Sequence, residues 1–340
     1  MREQRGRLGR CLVTGGAGML GWEIVRQLLA DGVEVRVLDL QPPPGPRKSR
    51  GLGILVGDIR DPDLVDRACD GVDTVFHAAA AVWDVRTPAA CYHEVNVDGT
   101  ANLIAACGTA GVRRLVFTST LDVVVDGRRP IVDGDESLPY PRRMPKDPYS
   151  RSKLIAERMV IGANDGSLAT CALRPVGMYG PRDRYHLGNF IAMAERGRSI
   201  RLGDGSARFS HAYSENVAHA HLLAARRLAP GSPVAGQCYF IGDHGPARNL
   251  FDFVEPFLVA LGLPVPRRSI PYPLAWWLAL AAEVVAPRSN FNRFAVVQTC
   301  VDHTFVHRKA ERDFGYRPIV SREEAFRRSV AWLQERGCAR

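Results

Sequence analysis

Along the first half of the chain, short β-branched runs alternate with stretches whose apolar positions recur at helical spacing. "RCLVTG" leads into "MLGWEIVRQLLADG"; "EVRVLDL" and "GILVGD" precede "DLVDRACDG"; "DTVFHAAA" precedes "VDGTANLIAACGTAG"; and "RRLVFTST" closes the series. Strands separated by helical crossovers imply parallel pairing. Gly32, Gly71 and Gly111 follow the helical stretches, where a left-handed cap is needed. The pattern predicts an α/β protein built on a Rossmann-type doubly wound parallel sheet. After Tyr149 come a further helix and the strand "LATCALRP", then proline- and glycine-rich segments with weaker alternation. We therefore expect a sheet-bearing nucleotide domain over residues 1–177. A smaller, irregular, mainly substrate-binding lobe is expected over 178–340, with some segments returning to the first domain.

Composition narrows the class without naming a chemistry. With 340 residues, 46% of them apolar, the chain can bury a sizeable core. The net charge of +9 is spread over scattered arginines, which suits anionic small molecules better than nucleic acid. Eight cysteines (11, 69, 91, 107, 171, 238, 300, 338) show no Cys-x-x-Cys pair and no metal-ligand spacing, as expected of buried reduced thiols in a cytoplasmic protein. The basic start "MREQRGRLGR" runs directly into a strand pattern, so no export signal is expected. "PYPLAWWLALAAEVVAP", Pro271 to Pro287, is shorter than the roughly 20 residues of a spanning helix. It is expected to line or cover a substrate entrance, with contact to a membrane surface as its second use.

Two clusters carry candidate chemistry. "VTGGAGMLG" sets Gly15, Gly16, Gly18 and Gly21 between the first strand and the first helix, where backbone amides can hold a pyrophosphate. Asp39 ends the second strand 18 residues after Gly21, placed to accept hydrogen bonds from a ribose. Its charge favours NAD over NADP, with Arg47, Lys48 and Arg50 as the residues that would serve the NADP alternative. In "DPYSRSK", Tyr149 and Lys153 stand four apart and so one above the other on a helix. "FTST" brings Thr118, Ser119 and Thr120 to the same sheet edge.

With these in order, the sequence resembles the extended short-chain dehydrogenase/reductase superfamily from about Gly9 to the C-terminus: "TGGAGMLG", "GDI" at 57–59, "HAAA" at 77–80, "NVDGT" at 96–100, "TST", "YSRSK" and "RP" at 174–175. The resemblance implies that Tyr149 is the catalytic base, that Lys153 lowers its pKa, and that Thr120 positions the substrate. Ser119 is the alternative that side-chain alternation disfavours. Asn96 is implied to support the Lys153 network. Cofactor contacts are implied at Gly15, Gly18, Met19, Leu20, Gly21 and Asp39, at Asp58 and Ile59 for the adenine, at Ala78, Ala79 and Thr118, and at Pro175 and Val176 beside the nicotinamide. No metal is implied.

Within that superfamily "LDVVVDGRRPIVDGDESLPYP", "LATCALRPVGMYGPRD" and "NVAHAHLLAA" look like the 3β-hydroxysteroid dehydrogenases, especially the decarboxylating sterol-4-carboxylate 3-dehydrogenases. The stretch "RFSHAYSENVA" departs, with His211 and Ser214 where the family more often has an acidic residue and Tyr-Val-Asp. The second half, as in "AERDFGYRP", is also similar to bacterial 2-alkyl-3-oxoalkanoate reductases. Either likeness implies a large, apolar substrate. A nucleotide-sugar epimerase or dehydratase suits the apolar 271–287 segment less well, and an NAD-binding sensor or scaffold would leave Tyr149, Lys153 and Thr120 idle. A homodimer is compatible with all of these readings.

Overall fold

The computed structural model describes residues 6–45, 50–84, 86–126, 129–145, 147–197, 199–286 and 291–336, apart from the side chain of Phe294. Strand β1 (Cys11–Thr14) leads to α1 (Met19–Ala30), β2 (Val35–Asp39) and β3 (Leu52–Val56). Then come α2 (Pro62–Cys69), β4 (Thr74–His77), α3 (Ala89–His93), α4 (Gly99–Ala110) and β5 (Arg114–Thr118). A short β6 (Ile131–Gly134) precedes α5 (Pro148–Gly162) and β7 (Ala169–Pro175). The second half adds β8 (Gly177–Tyr179), α6 (Leu187–Glu195), β9 (Arg201–Leu202), β10 (His211–Tyr213), α7 (Ser214–Arg227) and β11 (Gln237–Ile241). It ends with α8 (Leu250–Ala260), β12 (Ser269–Ile270), α9 (Tyr272–Val285), α10 (Arg293–Cys300), β13 (His303–Phe305), α11 (Arg308–Phe314) and α12 (Arg322–Glu335).

Seven strands pair in parallel in the order β11-β7-β5-β4-β1-β2-β3. This is the doubly wound α/β sheet. The direction of winding reverses between β1 and β4, and at such a reversal the loops after the strands part to leave a crevice at the carboxyl edge. Helices on both faces remove the central strands from water, so every residue of β1, β4, β5 and β7 is buried. One face packs against α1, α7 and α11 through Ile24, Val217 and Phe314. The other packs against α2, α4 and α5 through Val65, Leu103 and Val160.

Three elements of the second half belong to this sheet layer: β11 extends it beyond β7, while α7 and α11 cover one face. A separate cluster around Tyr179, Ile191, Val254 and Phe257 forms the core of the remaining lobe. The apolar helix α9 stands further out. Its small residues Ala275 and Ala279 pack with Val296 of α10, while Leu274, Trp277, Val284 and Val285 are exposed. No described helix is long and apolar enough to cross a membrane, and Pro287 lies outside the described residues. Of the cysteines, Cys11, Cys69, Cys107 and Cys171 are buried, but Cys91, Cys238 and Cys300 are only half-buried. Cys338 lies outside the described residues.

One buried ion pair ties the catalytic helix to the sheet. Arg174 of β7 donates from Nε and Nη2 to Glu157 of α5 at 2.9 and 2.7 Å, and the Tyr140 hydroxyl donates to the same carboxylate at 2.8 Å. The two side chains are only 5% and 0% exposed, so removing one charge strands the other in a dry site. Arg174→Met should cost about 3–5 kcal/mol of stability. Arg174→Met/Glu157→Gln should recover most of that loss; thermal and denaturant unfolding of both variants checks it.

Candidate active site

The helix that carries the opening motif starts where its sequence says it should. Asp147 caps α5, its carboxylate accepting from Ser150 N and Ser150 Oγ at 2.7 Å each, and Pro148 occupies the first turn, where a missing N–H costs nothing. Tyr149 and Lys153 consequently point along one side of α5 toward the end of β5. Lys153 is buried, with Nζ donating to the Thr118 carbonyl at 2.6 Å and lying 4.1 Å from the centre of the Phe117 ring. Burial pushes its pKa down to about 7, with Glu157 opposing.

The three residues of "TST" separate by role. Thr118 offers its carbonyl to Lys153, while its hydroxyl is taken by His221 Nε2 of α7 at 2.9 Å, so it meets the site through its backbone. Ser119 Oγ is buried and finds no partner among the described residues. Thr120 donates to Asp122 Oδ2 at 2.8 Å and lies near enough to the Tyr149 hydroxyl to lower its pKa. Asp122 accepts a second hydrogen bond from Gln298 Nε2 of α10, at 2.7 Å.

The protein's own groups act on the Tyr149 hydroxyl in both directions. Although part of the ring stays exposed, its hydroxyl end is enclosed, and that enclosure pushes the phenol pKa up; Asp122 pushes it in the same direction and the Thr120 hydrogen bond opposes. The Lys153 charge is committed to a carbonyl and a ring. Asn96 reaches α5 through Ser152. It lies on a π-helical turn, Glu94–Asp98, and its amide pairs with Ala81 (Ala81 N to Oδ1 at 2.7 Å, Nδ2 to Ala81 O at 3.0 Å) and donates to Ser152 Oγ at 2.9 Å, rather than meeting Lys153.

Asn96 in fact ends a longer chain. The Thr100 hydroxyl donates to Asn96 O at 2.6 Å, which leaves its oxygen to accept from His77 Nε2 at 2.9 Å. His77 Nδ1 therefore accepts from Thr14 Oγ1 at 2.7 Å, and Thr14 Oγ1 accepts from Ala79 N at 3.3 Å. Ser152 continues the line to the Tyr149 carbonyl at 2.7 Å. Burial and the Lys153 charge push His77 down to about 3, so it serves here as a neutral linker.

The glycine loop forms a cradle with room for a ligand's phosphates and none for side chains. Gly15 has φ +71°, and a Cβ there would lie 2.6 Å from Ala79 N; one on Gly21 would lie 2.1 Å from Gly15 O. Ala78 N is held by Thr14 O at 3.2 Å, which sets both alanines against the loop. Helix α1 begins at Met19 and Leu20 behind Gly18, whose position carries no side-chain cap, so its first amides remain for a ligand. Asp39 ends β2 with Oδ2 accepting from Ala17 N at 2.9 Å and Oδ1 from Gln41 N at 3.1 Å. These features fit a dinucleotide.

Asp58 turns its carboxylate onto its neighbour Arg60, and Ile59 is buried against Gly99. Pro175 and Val176 close β7 at the same edge, Val176 N donating to Ile241 O at 3.1 Å. Arg47 and Lys48 lie outside the described residues, and Arg50 is exposed. The basic residue that does reach the loop is Arg182, which donates from Nη2 to Ala17 O at 2.5 Å from a backbone with φ +74°. Two residues escaped the sequence reading: Arg182, which follows "YGP", and Asp122, which follows "TST". Of the departures in 208–218, His211 stacks on Phe253 at 3.7 Å and Ser214 lies against Gly180.

The 3-beta hydroxysteroid dehydrogenase/isomerase family model matches residues 12–274. The chain belongs to that family. It is an oxidoreductase of the extended short-chain dehydrogenase/reductase type. It is 39% identical to a 2-alkyl-3-oxoalkanoate reductase of Stenotrophomonas maltophilia, over 95% of this chain and 98% of that protein. It is 38% identical to a 3 beta-hydroxysteroid dehydrogenase/Delta 5→4-isomerase of Mycobacterium tuberculosis, over 94% and 88%. Among solved structures, a dTDP-glucose 4,6-dehydratase of Streptomyces venezuelae with NAD bound superposes with a TM-score of 0.75 at 28% identity, over 96% and 98% of the two chains.

The burial of Lys153 has a consequence for stability. Its folded pKa, about 7, lies below the ordinary lysine value of 10.5, so the unfolded chain binds more protons between those limits and stability rises with pH across that window. Lys153→Met should therefore raise the Tm of the cofactor-free protein at pH 7, and the gain should shrink as the pH approaches 10. A variant less stable than the parent at pH 7 contradicts this.

Proposed function

We propose that this family member is an NAD-dependent dehydrogenase that oxidises a 3β-hydroxyl on a sterol-like substrate. The observation that carries the reading is Lys153 Nζ held on the Thr118 carbonyl at the end of β5, with Tyr149 one turn earlier on the same helix α5. When bound, NAD supplies the hydride acceptor. Tyr149 receives the alcohol proton, Thr120 fixes the alcohol oxygen, and Lys153 is placed to reach the nicotinamide ribose. Gly15, Gly18 and Gly21 admit the pyrophosphate, with Asp39 for the adenosine ribose, Asp58 and Ile59 near the adenine, and Pro175 and Val176 beside the nicotinamide.

The apolar substrate class draws support from α9, whose exposed Leu274, Trp277 and Leu278 belong to a helix pair that reaches the site through Gln298. The same face suits contact with a membrane surface. A 4-carboxyl group on the sterol would make the product a β-keto acid, which loses carbon dioxide through an enol without a further catalytic group. The second reading, reduction of a 2-alkyl-3-oxoalkanoate, draws support from the 39% identity over nearly the whole of the Stenotrophomonas reductase. A cofactor-absorbance screen across 3β-hydroxysterols with and without a 4-carboxyl, and across 2-alkyl-3-hydroxyalkanoates, separates the two. Turnover of none of them overturns both.

Asp39 places a carboxylate at the end of β2, so the specificity constant for NAD should exceed that for NADP by roughly tenfold or more, about 1.4 kcal/mol. Asp39→Ala should narrow the gap, and a parent enzyme that prefers NADP contradicts the assignment. Tyr149→Phe should lower turnover by about 10²–10⁴-fold with NAD affinity little changed. Lys153→Met should weaken both. Titrating NAD affinity and steady-state rate in the two variants distinguishes these roles, and near-parental turnover in Tyr149→Phe removes the tyrosine from the mechanism.

A further inference from the structure

The stretch that departs from the family pattern sets two imidazoles side by side over a glycine. His211 of β10 is only 5% exposed, while His186, just before α6, keeps part of its ring at the surface. Nε2 of each ring is closed off from water and finds no partner among the described residues. The ring centres are 5.6 Å apart. Gly177 stands opposite His211 in the pairing of β8 with β10. A Cβ on Gly177 would lie 3.5 Å from His211 Cδ2 and 3.6 Å from His186 Cε1. Each of those carbons is bonded to the Nε2 of its ring, so both unfilled hydrogen-bonding positions border the side-chain-free face of Gly177.

We propose that His186 and His211 hold an uncharged oxygen of the substrate, a hydroxyl or a ketone, at the end of the molecule away from the reacting alcohol. The proposal rests on the dehydrogenase reading above and deepens it by naming a second group that the substrate carries. Gly177 directly follows Pro175 and Val176 of the sheet edge, whereas His186 and His211 pack into the second-half lobe. A ligand whose alcohol meets Tyr149 reaches the pair by extending from that edge into the lobe.

A dry, unbonded polar nitrogen is costly, so two of them converging beside a glycine mark a place for an oxygen. The walls around them are aromatic. Phe253 of α8 stacks on His211 at 3.7 Å, and Phe190 and Phe253 lie 6.3 and 6.2 Å from the His186 ring. Apolar walls with a few convergent polar groups are what orients an apolar ligand. Charge decides which kind of oxygen fits. Burial pushes both imidazoles below their ordinary pKa. His186, Arg322 and Arg248 add to the effect at His211 and the Phe209 backbone opposes it; Asp183 opposes it at His186. A neutral ring offers one N–H and one bare nitrogen, which serves a hydroxyl or a ketone. A carboxylate would sit unneutralised near Asp183, whose own carboxylate already takes the Tyr185, His186 and Leu187 amides at 2.9, 2.8 and 2.8 Å.

The test compares four steroids binding to the NADH-loaded protein, where no hydride can leave the alcohol. All share a 3β-hydroxyandrost-5-ene skeleton, and the far carbon of the last ring is bare or bears a hydroxyl, a ketone or a carboxylate. Calorimetry should find the hydroxyl and ketone compounds about tenfold tighter than the bare one, and the carboxylate no tighter. His211→Phe, which keeps an aromatic ring against Phe253, and His186→Phe should each bring that ratio close to one. So should Gly177→Ala, which keeps both imidazoles and fills the space between them. The ratio is a readout that a general loss of stability does not move, because the bare steroid meets the same fold. A parent that binds all four alike, binds none, or prefers the carboxylate overturns the proposal, as does a ratio that survives in both histidine variants. Should a histidine variant fail to fold, the ratio in Gly177→Ala decides. Turnover is read separately with NAD: a parent that oxidises none of these alcohols yet keeps the tenfold ratio ends the dehydrogenase reading and leaves the polar subsite standing.

Discussion

A lysine taken out of water and held on one backbone carbonyl organises the reactive end of this sheet. Lys153 can keep its ammonium at 3% exposure only because Thr118 O, at 2.6 Å, and the face of Phe117 substitute for water. That contact fixes the rotation of α5 about its axis relative to β5. With the rotation fixed, Tyr149, one turn earlier, comes to Thr120, and Glu157, one turn later, comes to Arg174. Catalytic geometry and helix anchoring therefore share a single constraint.

A second constraint acts across the sheet. The chain from Ala79 through Thr14, His77, Thr100, Asn96 and Ser152 to the Tyr149 carbonyl links the loops after β1 and β4 to the first turn of α5. Its members are neutral and hydrogen-bonded at both ends, so they align the nucleotide loop with the reacting tyrosine without adding charge to a site that must accommodate a cationic nicotinamide. The departure from regular helix at Glu94–Asp98 is what turns the Asn96 side chain onto Ala81 and Ser152.

What the sequence made legible is what local periodicity and spacing encode. Alternating strands and helices, the glycines after "VT", Asp39 at the end of a strand and the four-residue spacing of Tyr149 and Lys153 each need only nearby residues to be recognised, and the sheet assembled them as expected. The reading failed where a side chain's partner is far away in sequence. Asp122 matters because Gln298, 176 positions later, turns toward it, and Arg182 because Ala17, 165 positions earlier, offers it a carbonyl.

The late arrival of β11 has a consequence for how the chain reaches its final form on the ribosome. Until residues 237–241 have emerged, β7 is an edge strand with unpaired amides, and the face of α1 that meets α7 is uncovered. A fragment stopping at Gly177 would hold every nucleotide-binding and proton-transfer residue named for the hydride reaction and still lack a finished sheet. Pairing elements so distant in the chain is slow, because the loop between them must close first. The nascent first half thus waits exposed for its last strand, and its reactive groups cannot be cut out as a self-sufficient module.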